Sequence, residues 1–308
     1  MTRIASIDIG TNTVRLLVME REQNGNLIEI EQERAITRLG EGMDIEKRLL
    51  GHRMNETISV LSEFRDKCHE FEPLKIRTVA TSAVREASNQ REFISRAKEE
   101  AGIEIEVISW DEEAGLMMQG VLWRLPGAEK RVLAFDIGGG STEFILARDR
   151  RIVSAAGSLL GVVRLTEKFL FHHPVEVNEY AALEGCLRRE LKSIKAKLSD
   201  FSPEILVGTA GTVTTLAAID GDIYPYNTEK IHGRTLTRAR IEVLLENLKI
   251  KSLDERLAMK TIEKGREDLI IAGSALTLEI MRIFNCDLLT VSEYGLREGV
   301  VLDVVSQM

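Results

Sequence analysis

RIASIDIGTNTVRLLV, residues 3–18, and its echo RVLAFDIGGGSTEFIL, residues 131–146, decide how this chain folds. Each begins with an apolar run into Asp-Ile-Gly, at Asp8 and Asp136. Small and hydroxyl residues follow, then a second apolar run. Short apolar runs bounded by turn residues read as paired β-strands. One Asp-Ile-Gly turn is weak, because Asp-Gly and Asn-Gly sequences are common hairpin turns. Two at matching positions, Asp8 answering Asp136 and Gly10 answering Gly138, point to an internal duplication. Two similar domains facing one another are expected, with ligand at their interface.

Working outward, each echo is followed by alternating strand and helix signals, so each half reads as mixed α/β. In the first half, strands are expected at 27–34, 74–80 and 103–108. Leu50, Met54, Ile58, Leu61 and Phe64 fall at helical spacing within 46–71. Helices are also expected over 89–101, closed by Gly102, and over 111–125, opened by acids. Pro126-Gly127 breaks the pattern, which sets domains at 1–125 and 126–308. In the second half, further strands are expected at 142–147, 151–156, 203–208 and 288–291. Helices are expected near 162–171, 177–198, 237–248, 253–264, 266–284 and 296–305.

The 308 residues suffice for two domains with ordinary cores. Hydrophobic residues make up 44% and charged residues 29%, which excludes a disordered chain. No apolar run approaches the roughly 18–20 residues of a membrane span. The N-terminus enters a strand directly, so no signal peptide is read and a cytoplasmic location is expected. Cys68, Cys186 and Cys286 form no CxxC pair, which favours reduced structural thiols. The net charge of −8 and the lack of a basic stripe argue against a nucleic-acid binder. A polyanionic ligand would then need a local basic channel.

The two turns have the chemistry of phosphate cradles. Gly10, Thr11, Asn12 and Thr13, and likewise Gly138, Gly139, Gly140, Ser141 and Thr142, let backbone N–H groups approach an anion and add side-chain donors. Asp8 and Asp136, at the strand ends, could hold Mg²⁺ through water, because Mg²⁺ keeps several waters and takes one or two carboxylates. A third turn, Gly208, Thr209, Ala210, Gly211 and Thr212, leads from a buried strand into a helix. It is either a phosphate site at a helix N-terminus or a close-packed connection. No GxxxxGK[ST] stretch is present, which argues against a P-loop NTPase. Arg15, just past the first turn, reads equally as a phosphate ligand or a strand-face charge. Lys260, Lys264 and Arg266 read as a polyanion track or a solvated helix face. His172 and His173 are adjacent on a helix and do not face one metal site.

These turns resemble the actin, Hsp70 and sugar-kinase superfamily, which implies two ribonuclease-H-like α/β domains with a cleft between them. The resemblance also implies that the last helix, about 296–308, packs back on the first domain. A narrower match lies in TVATSAVREASNQREF (78–93), EVISWDEEAGLMMQGV (106–121) and LAFDIGGGSTEF (133–144). VGTAGTVTTLA (207–217), IHGRTLT (231–237) and SEYGLREGV (292–300) continue it. Together they resemble the Ppx/GppA phosphatase family of exopolyphosphatases and guanosine pentaphosphate phosphohydrolases. That resemblance implies Glu113 as catalytic base and Arg85 as a phosphate contact, with Ser82 adding a hydroxyl. It implies Glu143 as an acid near the metal and the attacking water. Read without it, Glu112 and Glu113 are first-turn acids favoured by the helix dipole. Trp110 stands where many members have glycine, and longer members carry an extra C-terminal helical region beyond the equivalent of Met308. Its lack would weaken the grip on very long polymers.

The expected activity is Mg²⁺-assisted hydrolysis of terminal phosphoanhydride bonds in polyphosphate or guanosine pentaphosphate. Guanosine tetraphosphate is a related ligand, and neither nucleic acid nor membrane is an expected partner. A homodimer is compatible with the sequence. Two rivals remain at this stage: a kinase of the same superfamily, and a non-catalytic sensor of guanosine tetra- or pentaphosphate.

Overall fold

Each echo folds as an antiparallel hairpin, because its alternating side chains can bury one face while the small residues turn the chain. The computed structural model describes residues 2–43, 47–71, 74–198 and 202–308. Two compact units emerge, Met1–Gly120 with Leu296–Met308, and Val121–Gly295.

In the first unit, β1 (Thr2–Ile9), β2 (Thr13–Arg21) and β3 (Leu27–Ile36) form an antiparallel meander. β4 (Leu74–Ala80) joins β1 in parallel, and β5 (Glu106–Val107) joins β4, giving the order β3-β2-β1-β4-β5. Helices α1 (Gly51–His69) and α3 (Gln90–Ala101) cover the sheet. They bury Met54, Ile58, Leu61, Phe64, Phe93 and Ala97 with Ile7, Leu16 and Val18 in one core. Gly102 ends α3 in the left-handed region at φ +67°, where a glycine carries no steric penalty. Between them lies the short α2 (Ser82–Glu86), and after β5 comes α4 (Trp110–Trp123). The terminal α12 (Leu296–Ser306) packs on β1, β2 and β4. It crosses α4 so closely that a Cβ on Gly299 would lie 1.7 Å from the Leu116 carbonyl oxygen.

The second unit repeats the plan. β6 (Val132–Ile137), β7 (Thr142–Arg148) and β8 (Arg151–Ser158) form the meander. β9 (Ile205–Thr209) runs parallel to β6, and β11 (Leu288–Val291) parallel to β9. With β10 (Thr235–Thr237) at the edge, the order is β10-β11-β9-β6-β7-β8. The echo extends to irregularity. The β2–β3 register shifts between Val18 and Met19, and the β7–β8 register between Leu146 and Ala147. Each shift follows its aspartate at the same spacing. Both units are thus ribonuclease-H-like α/β domains of the actin type.

Around the second sheet lie α5 (Val162–Phe169), α6 (Val177–Lys197), α7 (Ala210–Asp220), α8 (Thr228–Ile231), α9 (Arg238–Lys249), α10 (Leu253–Leu257) and α11 (Ile270–Ile283). α11 is buried almost all round, so its apolar run has no polar face to show. No helix among the described residues is long and apolar enough to cross a membrane.

Several sequence expectations change. The strand over 103–108 shrinks to Glu106–Val107. The helix over 253–264 stops at Leu257, and the one over 266–284 starts at Ile270. Ser252 and Glu255 cap the short α10 reciprocally, and Arg256 is buried within it. The residues after it run as turns up to α11. The start of the helix expected from residue 46 lies outside the described residues; Gly51 begins α1. Pattern alone did not reveal α2, α8 or β10, which are too short to show a period. Cys68, Cys186 and Cys286 are free, and burial pushes the Cys68 thiol up to about 11.

Candidate active site

The hairpin turns are built alike. Gly10 N–H donates to the Thr13 carbonyl (3.0 Å) and Gly138 N–H to the Ser141 carbonyl (2.9 Å). The turn carbonyls are then tied back by the chain that follows each meander. Thr37 and Arg38 N–H both donate to the Asn12 carbonyl, and Gly40 N–H to that of Thr11 (2.8 Å). In the second unit Val162 and Val163, at the start of α5, donate to the carbonyls of Gly138 (3.0 Å) and Gly139 (2.9 Å). With their carbonyls held, the N–H groups of Thr11, Asn12, Gly139 and Gly140 donate to no protein acceptor among the described residues. Such an array of amides suits an anion. Gly161 fits so tightly that a Cβ there would lie 2.2 Å from the Gly139 oxygen. Thr142 acts as a strut, since its buried hydroxyl donates to the Leu160 carbonyl (2.7 Å) instead of facing the turn.

The aspartates differ in what faces them across the hairpin. Asp8 pairs with Arg15 and Asp136 with Glu143. Burial pushes the Asp8 carboxyl up, while Arg15 and Arg297 pull it down and Glu298 opposes them. Arg15 therefore serves as the charge partner of Asp8. Arg297 and Glu298, at the start of α12, lie in SEYGLREGV without a local signal of their role; only the return of α12 to β1 brings them there. Glu143 is buried, directly opposite another carboxylate.

The first unit also assembles an ion pair. Ser109 Oγ accepts from Glu112 N–H (3.2 Å) at the start of α4, and successive first-turn acids diverge around the helix. Glu112 goes to Arg77 (2.9 Å), which also holds Glu106 and Asp303. Glu113 turns inward, where Arg85 Nη1 donates to its Oε2 (2.7 Å) and to the Ile108 carbonyl (2.9 Å). The Arg85 guanidinium lies 4.3 Å from the Trp110 ring centre, so the bulky ring orients Arg85. Nε and Nη2 of Arg85 are buried with no acceptor among the described residues. Ser82 is buried nearby in sequence, its hydroxyl donating to Glu86 (2.7 Å).

In the second unit Thr209 is the register partner of Asp136 on the neighbouring β9. Its hydroxyl donates to the Tyr294 carbonyl (3.2 Å), so it does not cap α7. Ala210 is held at φ +68°, an uncommon conformation for a residue with a Cβ. A Cβ on Gly208 would lie 2.7 Å from Phe135, and one on Gly211 would lie 2.0 Å from Arg266 Nη1. The third turn is therefore close-packed, yet the uncapped α7 start has a guanidinium over it. Arg266 leaves the basic cluster read from sequence and sits at this turn, bonded to Glu263 (2.9 Å). Thr212 packs under Gly273. His172 and His173 lie in a bend after α5 and not on a helix, and they turn towards Glu179 (2.6 Å) and Arg256 (2.5 Å) respectively.

The sequence profile of the Ppx/GppA phosphatase family matches residues 18–308. The chain belongs to the Ppx/GppA phosphatase family. By that membership it is a hydrolase. It is 30% identical to exopolyphosphatase 2 of Mycobacterium tuberculosis, across 99% of both chains. It is 35% identical to a bifunctional 3-dehydroquinate synthase/phosphatase of Fusobacterium nucleatum, over 98% of this chain but only 46% of that longer protein. The crystal structure of the Aquifex aeolicus Ppx/GppA family member is similar at a TM-score of 0.84 and 35% identity, covering 99% of this chain and 98% of that one.

Proposed function

We propose that this chain hydrolyses terminal phosphoanhydride bonds of polyphosphate or guanosine pentaphosphate and releases orthophosphate. The observation that carries the reading is Arg85: Nη1 is fixed on Glu113, and the buried Nε and Nη2 have no acceptor among the described residues. A buried donor without an acceptor costs about 1–3 kcal/mol, and two phosphate oxygens would satisfy this guanidinium in a fork.

Glu113 is the base. A buried carboxylate fixed by Arg85 can orient a water and take its proton. The water oxygen bonds to the terminal phosphorus, the anhydride oxygen leaves with the shortened chain, and the proton moves to Glu113. The amides of Thr11 and Asn12, and of Gly139 and Gly140, bind phosphate oxygens, in turns that Gly10 with Thr13 and Gly138 with Ser141 close. So do the turn Gly208, Thr209, Gly211 and Thr212 and the guanidinium of Arg266. Ser82 serves mainly to hold Glu86, and Arg15 acts through Asp8.

The donor set fits Mg²⁺. Asp136 and Glu143 are carboxylate oxygen donors directly opposite each other on β6 and β7, the ligand type Mg²⁺ prefers. They and Asp8 are the candidate ligands. When bound, Mg²⁺ would neutralise charge on the phosphate oxygens.

Phosphate release from tripolyphosphate, long-chain polyphosphate and guanosine pentaphosphate, each with and without Mg²⁺ and with no acceptor present, tests the reading. Release from at least one substrate, dependent on Mg²⁺, is expected. Transfer only to an added acceptor would make the chain a kinase. Tight binding of guanosine pentaphosphate without release would make it a sensor.

A further inference from the structure

Outside the site described above, three metal-ligating side chains of the second unit converge without a part in hydrolysis. His172, Glu176 and Glu179 each offer one ligand atom, and the three atoms lie within 4.8 Å of one another. His172 Nδ1 is 2.6 Å from Glu179 Oε1 and 3.7 Å from Glu176 Oε1. The Glu179 side chain is 9% exposed, against 61% for His172 and 51% for Glu176, so one donor is sunken and two are open to solvent.

The chain around these donors is held from both sides. Glu179 Oε2 accepts the N–H groups of Phe171 (3.3 Å) and His172 (3.2 Å), which turns Oε1 towards the imidazole. The next residue, His173, is held by Arg256 of α10 (2.5 Å). Val175 N–H donates to the Lys249 carbonyl at the end of α9 (3.0 Å). The bend between α5 and α6 is therefore pinned along its length, with the His172 ring set against the two acids. Glu176 stands at the N-cap of α6, yet its carboxylate caps no N–H. The helix dipole accounts for acids at this helix start, but not for an imidazole brought between them. One ring nitrogen with two carboxylate oxygens suits a borderline divalent ion such as Zn²⁺, whereas Mg²⁺ prefers oxygen alone.

We propose that His172, Glu176 and Glu179 form a transition-metal site, taking Zn²⁺ or an ion of similar preference, that clamps the bend between α5 and α6. On binding, the proton between His172 Nδ1 and Glu179 leaves to solvent, Nε2 carries the ring hydrogen, and the Nδ1 lone pair goes to the ion. The site differs in donor type from the all-carboxylate set of Asp8, Asp136 and Glu143. At its start α5 ties the second hairpin turn, where Val162 and Val163 hold the carbonyls of Gly138 and Gly139. The clamp fastens the chain just past the other end of that helix. The inference goes beyond the hydrolytic reading and does not depend on it.

The test reads Zn²⁺ affinity by competition with a chromophoric chelator, in the full chain and in excess Mg²⁺, which occupies oxygen-donor sites. Uptake of Zn²⁺ against that excess is expected, with a rise in melting temperature. His172→Ala should weaken the affinity by at least about 10- to 100-fold, the usual worth of even an outer partner of a metal, and should remove the rise. Glu176 is exposed and caps nothing, so Glu176→Ala keeps the test open if His172→Ala fails to fold, and the same loss is expected. An affinity unchanged in the folded variants overturns the site and shows adventitious binding elsewhere. No uptake of Zn²⁺ against Mg²⁺ also overturns it and leaves the three side chains as an ion pair at the start of α6. Neither result bears on phosphate release, so this site and the hydrolytic function stand or fall separately.

Discussion

The two hairpins share a turn, a register shift and a tied-back set of carbonyls, but not their electrostatics. In the first, Asp8 faces Arg15 and lies near Arg297, cations that offset only part of what burial costs its carboxylate. In the second, Asp136 faces Glu143, and the like charges stand opposite each other. A duplicated backbone has thus been given two different charge patterns. The first hairpin sets cationic side chains beside its aspartate, and the second sets another carboxylate beside its own, the composition of a cation site.

The largest expected effects separate the two kinds of carboxylate. Glu113→Gln should lower kcat by about 10²- to 10⁴-fold, the usual worth of a general base. It should leave any rise of the melting temperature with Mg²⁺ in place. Glu143→Gln should abolish that rise, and Asp8→Asn should reduce it less. Thermal melts of the three variants with and without Mg²⁺ check this. An equal loss in Asp8→Asn and Glu143→Gln would erase the distinction between the hairpins.

Steric contrast gives the next effect. A Cβ on Gly161 would strike the backbone of Gly139 and Gly140 at 2.2 Å, whereas one on Gly40 would strike the Thr11 methyl at 2.2 Å. A side chain can rotate and a tied peptide cannot. Gly161→Ala should cost about 1–3 kcal/mol in urea unfolding, the range for overpacking, and Gly40→Ala less.

Asp8→Asn has a signed dependence on pH. Burial raises the Asp8 pKa above its ordinary 3.8 in the folded protein. The folded state therefore holds that proton more tightly than the unfolded one. The wild type loses stability as pH rises through the shifted value, and an amide does not. Asp8→Asn should melt higher than wild type at neutral pH, with the gap closing as pH falls towards 3.8 and below. A gap that widens in acid would overturn the assignment. The smallest effect is Thr142→Val. Losing the bond to Leu160 should cost about 0.5–1.5 kcal/mol in the same urea unfolding.

By itself the sequence determined the hairpins, their duplication and the helices with a long apolar stripe, because period and turn chemistry are local. Phe93, Ala97 and Gly102 could be placed that way. It also placed Glu112 and Glu113 on a first turn, but only resemblance to a family singled out Glu113. The tertiary structure separates the two, since Arg77 on β4 takes one and Arg85 on α2 takes the other. It likewise turned Arg15 into the partner of Asp8 and brought Arg297 to the first hairpin. The basic run 260–266 reads from sequence as a polyanion track or a solvated helix face, and its residues fold instead as turns. In the folded chain Arg266 lies over Gly211, and a continuous helix does not form there. Ion pairs and close backbone contacts join residues far apart in the chain, so no local pattern records them, and only the packed fold chooses which charges meet.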